Sequence, residues 1–183
     1  MSATQNTTSL QKQYLKDYQV PPYLVDQVHL YFNIQPQSTT SNTTTTTLTT
    51  ITCTQILKKN MAANSTTDLF LDGEELSLKQ LQAFVPKSGS QLTSWTSDIS
   101  ASLENTMPYD LKYEIKENGL QILNPPAEFI LQIVTESIPS QNTSLEGLYV
   151  SNNCIVTQCE AQGFRRITYF LDRPDVMSKF TVR

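Results

Sequence analysis

The chain has 183 residues, of which 16% are charged, and a formal net charge of −4. This length suffices for one domain with its own core, and the lack of a basic excess argues against nucleic acid or an anionic membrane as partners. No apolar run reaches the roughly 18 residues of a membrane span, and the N-terminus lacks the basic start and apolar stretch of a signal peptide.

The first predicted segment is an extended lead-in over residues 1–25, which is polar and contains Pro21 and Pro22. A single β domain is predicted over residues 26–183. Its first strand lies in DQVHLYFNI, where apolar and polar residues alternate with a period of two, as in a half-buried strand. The apolar positions are Val28, Leu30, Phe32 and Ile34.

A threonine-rich stretch follows, and TLTTITCTQIL within it predicts a second strand after a loop near 36–43, because β-branched Thr favours strands. Asn118-Gly119 predicts a type I′ hairpin turn, since both residues tolerate positive φ. Residues 81–100 show no clear pattern. Further short strands are predicted at Asp68–Leu71, Ser77–Phe84, Asp110–Ile115, Leu120–Leu123 and Glu128–Thr135.

The end of the chain predicts the one short helix. Asp172 would cap it by accepting from the amide of Asp175, and Pro174 suits a first helical turn. The final FTVR is strand-like with no partner after it, which favours the front part of a longer protein. Together these elements predict an all-β fold, a twisted antiparallel β domain with one short helix near the C-terminus.

The residue inventory limits the chemistry. The single histidine, His29, rules out an HExxH zinc helix and a His-rich metal site, and with five glycines there is no Gly-rich phosphate loop. We therefore expect no catalytic residue, no metal ligand and no bound cofactor in this chain.

Cysteine usage predicts the compartment. An odd number of cysteines, far apart and without a secretion signal, indicates reduced thiols and a cytoplasmic protein. Cys154 and Cys159 have no nearby base, so they are interpreted as small buried hydrophobic residues rather than nucleophiles. The Asn-x-Ser/Thr sequons arise from composition and are expected to carry no sugar.

The stretch TQCEAQGFRRITYFLDRPDV, residues 157–176, concentrates acids, bases and aromatics. If the strand in NCIVTQC persists, Gln158 and Glu160 project from one face about 6–7 Å apart. A carboxylate beside an amide at a strand's edge can hold an ammonium group. The alternative is a structural ion pair of Glu160 with Arg165 or Arg166, and spacing alone favours that ion pair.

LEGLY (145–149) followed by this stretch resembles the N-terminal domain of bacterial aminopeptidase N, a gluzincin-type zinc metallopeptidase. The match is close over 145–183 and looser over the opening strand. The middle, 36–127, is Thr-rich and carries extra residues between Gln80 and Tyr109 relative to the family. The resemblance implies a saddle-like β domain over the catalytic domain of the same full-length polypeptide. Zinc and the HExxH helix would belong to that catalytic domain, so this chain alone is predicted to be inactive.

The resemblance also implies roles for two residues. Glu160 would bind the free α-amino group at the peptide substrate's N-terminus, and Gln158 would line the first side-chain pocket. A fixed carboxylate at the closed end of a cleft favours an N-terminal ammonium and leaves no room for a preceding residue. The alternative is a stand-alone, non-catalytic β module that binds another protein through residues 157–183.

Overall fold

The computed structural model describes residues 14–37, 46–63, 68–92 and 103–183. These ranges contain short 3-10 helices at Leu15–Asp17, Pro139–Gln141 and Phe164–Arg166. Strands account for most of the remaining regular structure, which confirms the all-β prediction. The strands are β1 (Tyr23–Gln37), β2 (Thr46–Lys59), β3 (Leu69–Asp72), β4 (Ser77–Pro86), β5 (Thr106–Tyr109), β6 (Lys112–Lys116), β7 (Gly119–Leu123), β8 (Glu128–Ser137), β9 (Gly147–Ser151), β10 (Cys154–Gln158) and β11 (Lys179–Val182).

The largest layer is a six-stranded sheet in the order β11-β1-β2-β8-β4-β5. Its pairings are antiparallel except for β11, which runs parallel to β1. The prediction that the C-terminal strand lacks a partner is wrong, because Val28 pairs with Phe180 and Leu30 with Val182. An unpaired strand is therefore no longer an argument for a longer protein.

The predicted alternation in β1 is confirmed over its central part. Val28 and Leu30 are buried, and a bulge between Val25 and Gln27 changes the phase of the strand so that Val25 is buried too. The inner face continues across the sheet in register, where Leu30 pairs with Cys53 of β2. Cys53 in turn pairs with Ile133 of β8, and both are fully buried.

A three-stranded sheet, β3-β7-β6, completes the same core. The hairpin predicted at Asn118-Gly119 forms, but its turn differs from the prediction. Lys116 pairs with Gly119, so Glu117 and Asn118 form the loop, and neither has a positive φ. Glycine is needed at 119 for another reason: an added Cβ would lie 2.2 Å from the carbonyl oxygen of Leu71 on β3.

The segment after the last 3-10 helix ties the two sheets together. From the six-stranded sheet, Gln55 Nε2 donates to the carbonyl of Tyr169 at 2.7 Å and Thr135 Oγ1 to that of Ile167 at 2.9 Å. From the other sheet, Asp72 and Phe170 exchange backbone hydrogen bonds of 2.8 and 3.0 Å. Because each bond is buried or backbone-to-backbone, the segment has a fixed position relative to both sheets.

The helix predicted from Asp172 does not form, since residues 172–178 are irregular with a turn at 174–175. The carboxylate of Asp172 accepts from the backbone N and the Nε of Arg165 instead of capping Asp175. Part of 81–100 is strand, because β4 continues to Pro86, whereas 93–100 and residues 38–43 of the predicted loop lie outside the described residues. Over the described ranges, no helix is long and apolar enough to cross a membrane.

Candidate functional site

A β-hairpin carries the candidate residues. Its strands β9 and β10 pair from Gly147 with Gln158 to Ser151 with Cys154. Asn152 and Asn153 connect them with φ values of 52° and 62°, the two positive values of a type I′ turn, which asparagine tolerates. Strand β9 was not predicted, although Asn-Asn between two apolar runs is the signal that would have indicated it.

Glu160 does not lie on the strand. The ladder of β10 ends at Gln158, and residues 160–163 form a turn. The prediction that Gln158 and Glu160 project from one strand face is therefore wrong, although the turn keeps the two residues adjacent. The peptide bond between Glu160 and Ala161 is cis.

Gly163 closes this turn. Its backbone N donates to the carbonyl of Cys159 at 3.0 Å, the i to i+4 bond of an α-turn. An added Cβ at Gly163 would lie 2.3 Å from the carbonyl oxygen of Gln158 and 3.1 Å from the backbone N of Gly147. Only glycine permits this approach, so the base of the turn rests directly on the end of the hairpin.

The Glu160 side chain is exposed at the tip of the turn. Across the described residues its carboxylate has no hydrogen bond and no ion pair. Its carbonyl oxygen does have a partner, because Gln158 Nε2 donates to it at 3.1 Å. The carboxylate is thus available to a ligand while its backbone is restrained.

The ion-pair alternative for Glu160 is wrong, because other acids occupy both arginines. Arg165 Nε lies 3.0 Å from Asp172 Oδ2, and Arg165 Nη1 lies 3.5 Å from Asp72 Oδ1. Arg166 contacts three glutamates, of which Glu146 lies 3.4 Å from Nε without hydrogen-bond geometry. Arg166 Nη2 lies 2.9 Å from Glu74 Oε2, and Arg166 Nη1 lies 2.7 Å from Glu75 Oε2.

Asn142 organises the approach to β9, a role that the sequence analysis missed. Its Nδ2 donates to the carbonyls of Glu146 at 2.7 Å and Leu148 at 2.9 Å, and its Oδ1 accepts from the backbone N of Ser144. Both ends of the amide are therefore used inside the protein. Asn142 also heads a sequon, and a sugar attached to Nδ2 would compete with the two hydrogen bonds that this nitrogen donates.

The three cysteines are free and lie in different environments. Cys53 is fully buried, and burial raises the pKa of its thiol to about 12. Cys159 is half-buried beside the turn, where burial and then the charge of Asp172 raise its pKa. Cys154 is exposed, so its predicted burial is wrong.

No group of three or more His, Cys, Asp or Glu side chains within the described ranges is arranged to hold a metal ion. The chemistry that the site offers is therefore that of a restrained carboxylate with an amide beside it. Such a pair suits a small cationic group that donates several hydrogen bonds.

Comparison with known proteins gives a consistent result. The family described as the peptidase M1 N-terminal domain matches residues 22–183. Aminopeptidase N of Escherichia coli is 33% identical over 177 residues, covering 97% of this chain and 16% of that protein. The chain therefore spans about one sixth of the length of this relative.

Two solved structures share the fold. Aminopeptidase A of Legionella pneumophila, in complex with aspartic acid, superimposes with a TM-score of 0.65 at 24% identity and covers 93% of this chain and 17% of that one. An M1 zinc metallopeptidase from Deinococcus radiodurans gives a TM-score of 0.55 at 13% identity, covering 90% and 32%. At these identities the likeness concerns the fold alone.

Proposed function

Because the chain belongs to the peptidase M1 N-terminal domain family, we propose that it is the N-terminal domain of a zinc aminopeptidase and contributes to the substrate site of that enzyme. The observation that carries the proposal is the state of Glu160. Its side chain is exposed, and its carboxylate has no hydrogen bond or ion pair with the described residues, although two arginines lie within six positions of it along the chain.

In this proposal Glu160 binds the α-ammonium group at the substrate's N-terminus. The carboxylate accepts charge-assisted hydrogen bonds, which are about twice as strong as neutral ones. A peptide with an acylated N-terminus cannot supply this cation, and a residue preceding the first would collide with the turn. One ion pair and one steric boundary together select the removal of single N-terminal residues.

Gln158 lies beside Glu160 at the end of β10 and is proposed to line the first side-chain pocket. The catalytic domain of the full-length polypeptide would supply the remaining residues and the zinc ion, whose chemistry is to polarise the scissile carbonyl and activate water. This chain supplies a binding group, so on its own we expect it neither to hydrolyse peptides nor to bind zinc stoichiometrically.

The experiment is Glu160→Gln in the full-length enzyme, which keeps the shape of the side chain and removes its charge. We expect kcat/KM on free-amine substrates to fall, and the fall should correspond to a loss of about 2–4 kcal/mol of transition-state stabilisation. The free energy of unfolding of this chain, measured by chemical denaturation, should change by no more than about 0.5–1 kcal/mol, because the carboxylate is exposed. A large loss of stability with unchanged kinetics would refute the proposal.

A further inference from the structure

We propose that Gln158 is a positioning residue. Through its side-chain amide it holds in place the turn formed by residues 160–163, which we call the Glu160 turn. This inference rests on the proposed function, because it explains how the backbone that carries the exposed carboxylate is held in place. It adds a second role for Gln158, distinct from contact with the substrate side chain.

The tip of the turn has few restraints of its own. Glu160, Ala161 and Gln162 are all exposed. The hydrogen bond from Gly163 to Cys159 closes the base of the turn and leaves these tip residues outside it. Within the described part of the chain, the hydrogen bond that reaches the tip is the 3.1 Å bond from Gln158 Nε2 to the carbonyl of Glu160.

Gln158 can restrain its neighbour because its own backbone is fixed. It forms the last pair of the hairpin ladder, with Gly147, and its carbonyl lies against Gly163, where no side chain fits. A group on the end of a paired strand positions a binding residue better than a group within a loop does. The side chain therefore ties the exposed tip of the turn to its fixed base.

The bond leaves Gln158 with capacity for a ligand. A glutamine amide has two N–H donors and an oxygen that accepts two bonds, and one donor is used by Glu160. Positioning and pocket lining are therefore compatible. They differ in their consequences, because a pocket contact depends on the substrate's side chain, whereas positioning of Glu160 affects every substrate with a free α-amine.

The test uses the full-length enzyme and a double-mutant cycle of Gln158→Ala and Glu160→Gln. We expect Gln158→Ala to lower kcat/KM roughly three- to tenfold, the range for one net hydrogen bond. The loss should lie mainly in KM, and part of it should be common to substrates with small, aromatic and basic first residues, whereas the loss of a pocket contact varies with the first residue. In the Glu160→Gln background, the part of the loss common to all substrates should shrink to less than about twofold, since there is no charge left to position.

Gln162→Ala is the matched control, because it removes an exposed glutamine from the same turn that has no hydrogen bond to Glu160. We expect it to change kcat/KM by less than about twofold. Equal losses in the two glutamine variants would overturn the inference, and so would an undiminished loss in the Glu160→Gln background or a loss confined to one class of first residue. If Glu160→Gln alone has no effect on kinetics, the proposed function fails first.

Discussion

Arg165 and Asp172 form a largely buried ion pair at the base of the candidate site. The Nε of Arg165 lies 3.0 Å from Asp172 Oδ2, and the two side chains are only 15% and 12% exposed. The same carboxylate oxygen accepts from the backbone N of Arg165 at 3.1 Å. Asp172 thus fixes both the side chain and the backbone of Arg165, which lies two residues after the end of the Glu160 turn.

Asp172→Ala should lower the free energy of unfolding by about 2–4 kcal/mol, because it leaves a nearly buried guanidinium with weaker partners. Glu114→Ala is the control, since Glu114 and Lys116 form a pair whose side chains are about half exposed. Its loss should stay below about 0.5 kcal/mol. Urea denaturation of both variants measures the difference, and equal losses would contradict the role given to Asp172.

Gly163→Ala should shift the Glu160 turn. The φ of Gly163 is −81°, so alanine is allowed by the backbone, but its Cβ would meet the carbonyl oxygen of Gln158. We expect a stability loss of about 1–3 kcal/mol, the usual cost of overpacking, and reduced kcat/KM in the full-length enzyme.

Gly89→Ala is the contrasting control for Gly163. Gly89 has a φ of +80°, and an added Cβ there would meet open space, so alanine costs about 1 kcal/mol through the backbone alone. Activity should be unaffected, because Gly89 lies in the turn that follows β4, far from Glu160 along the chain. Unchanged kinetics in Gly163→Ala would show that the Glu160 turn tolerates displacement.

The contact between the lead-in and the C-terminal part should depend on pH. Tyr18 donates to Asp175 Oδ2 at 2.8 Å, and hydrogen bonds from Arg173 and then Tyr18 hold the pKa of Asp175 below its ordinary 3.8. A lowered pKa in the folded state stabilises the contact fully above pH 3.8, and this stabilisation disappears as the pH falls through the lower, folded-state value. The gain is small, because the pair is near the surface.

NMR signals of the Tyr18 ring measure this transition. They should shift on acidification below pH 3.8 in the natural sequence, and in Asp175→Asn that shift should be absent. Ring signals of the unaltered chain that stay constant through the acid range would contradict the expected coupling.

Thiol modification should follow the order Cys154, Cys159, Cys53. The thiolate is the reacting form, so exposure and pKa together set the rate. Cys154 is exposed, Cys159 is half-buried with a raised pKa, and Cys53 is buried with a pKa of about 12. Mass spectrometry after brief alkylation near neutral pH should find one fast site, and rapid labelling of Cys53 in the folded protein would contradict the described core.

Sequence patterns predicted the structural features that depend on residues close together in the chain. The alternation around Val28 and Leu30 indicated a strand because the pleat itself has a period of two. The helix predicted after Asp172 does not form, because the carboxylate that was expected to cap it accepts a hydrogen bond from Arg165 instead. The prediction that Glu160 projects from the same strand face as Gln158 is wrong because the strand ends where Gly163 packs against Gln158. A period of two in the sequence does not reveal this contact.

The roles of Glu160 and Gln158 stay predictions, and only their local geometry can be compared with the sequence. The sequence singled out Glu160 and Gln158 as neighbours, and the structure keeps them adjacent through a hydrogen bond. Spacing alone favoured an ion pair of Glu160 with an arginine, because Asp72, Glu74 and Glu75 are far from Arg165 and Arg166 in the chain and their competition is visible only in three dimensions. Asn142 was missed for a similar reason, since its amide acts through backbone carbonyls.

The parallel pairing of β11 with β1 has a consequence for how the domain folds. Val28 and Phe180 come from opposite ends of the described chain, so their pairing requires closing nearly the whole chain into one loop. Pairings of this kind raise the contact order and slow folding. We therefore expect the β1–β2 and β9–β10 hairpins to form early and the β11 edge to form last, when most of the other strands have already assembled.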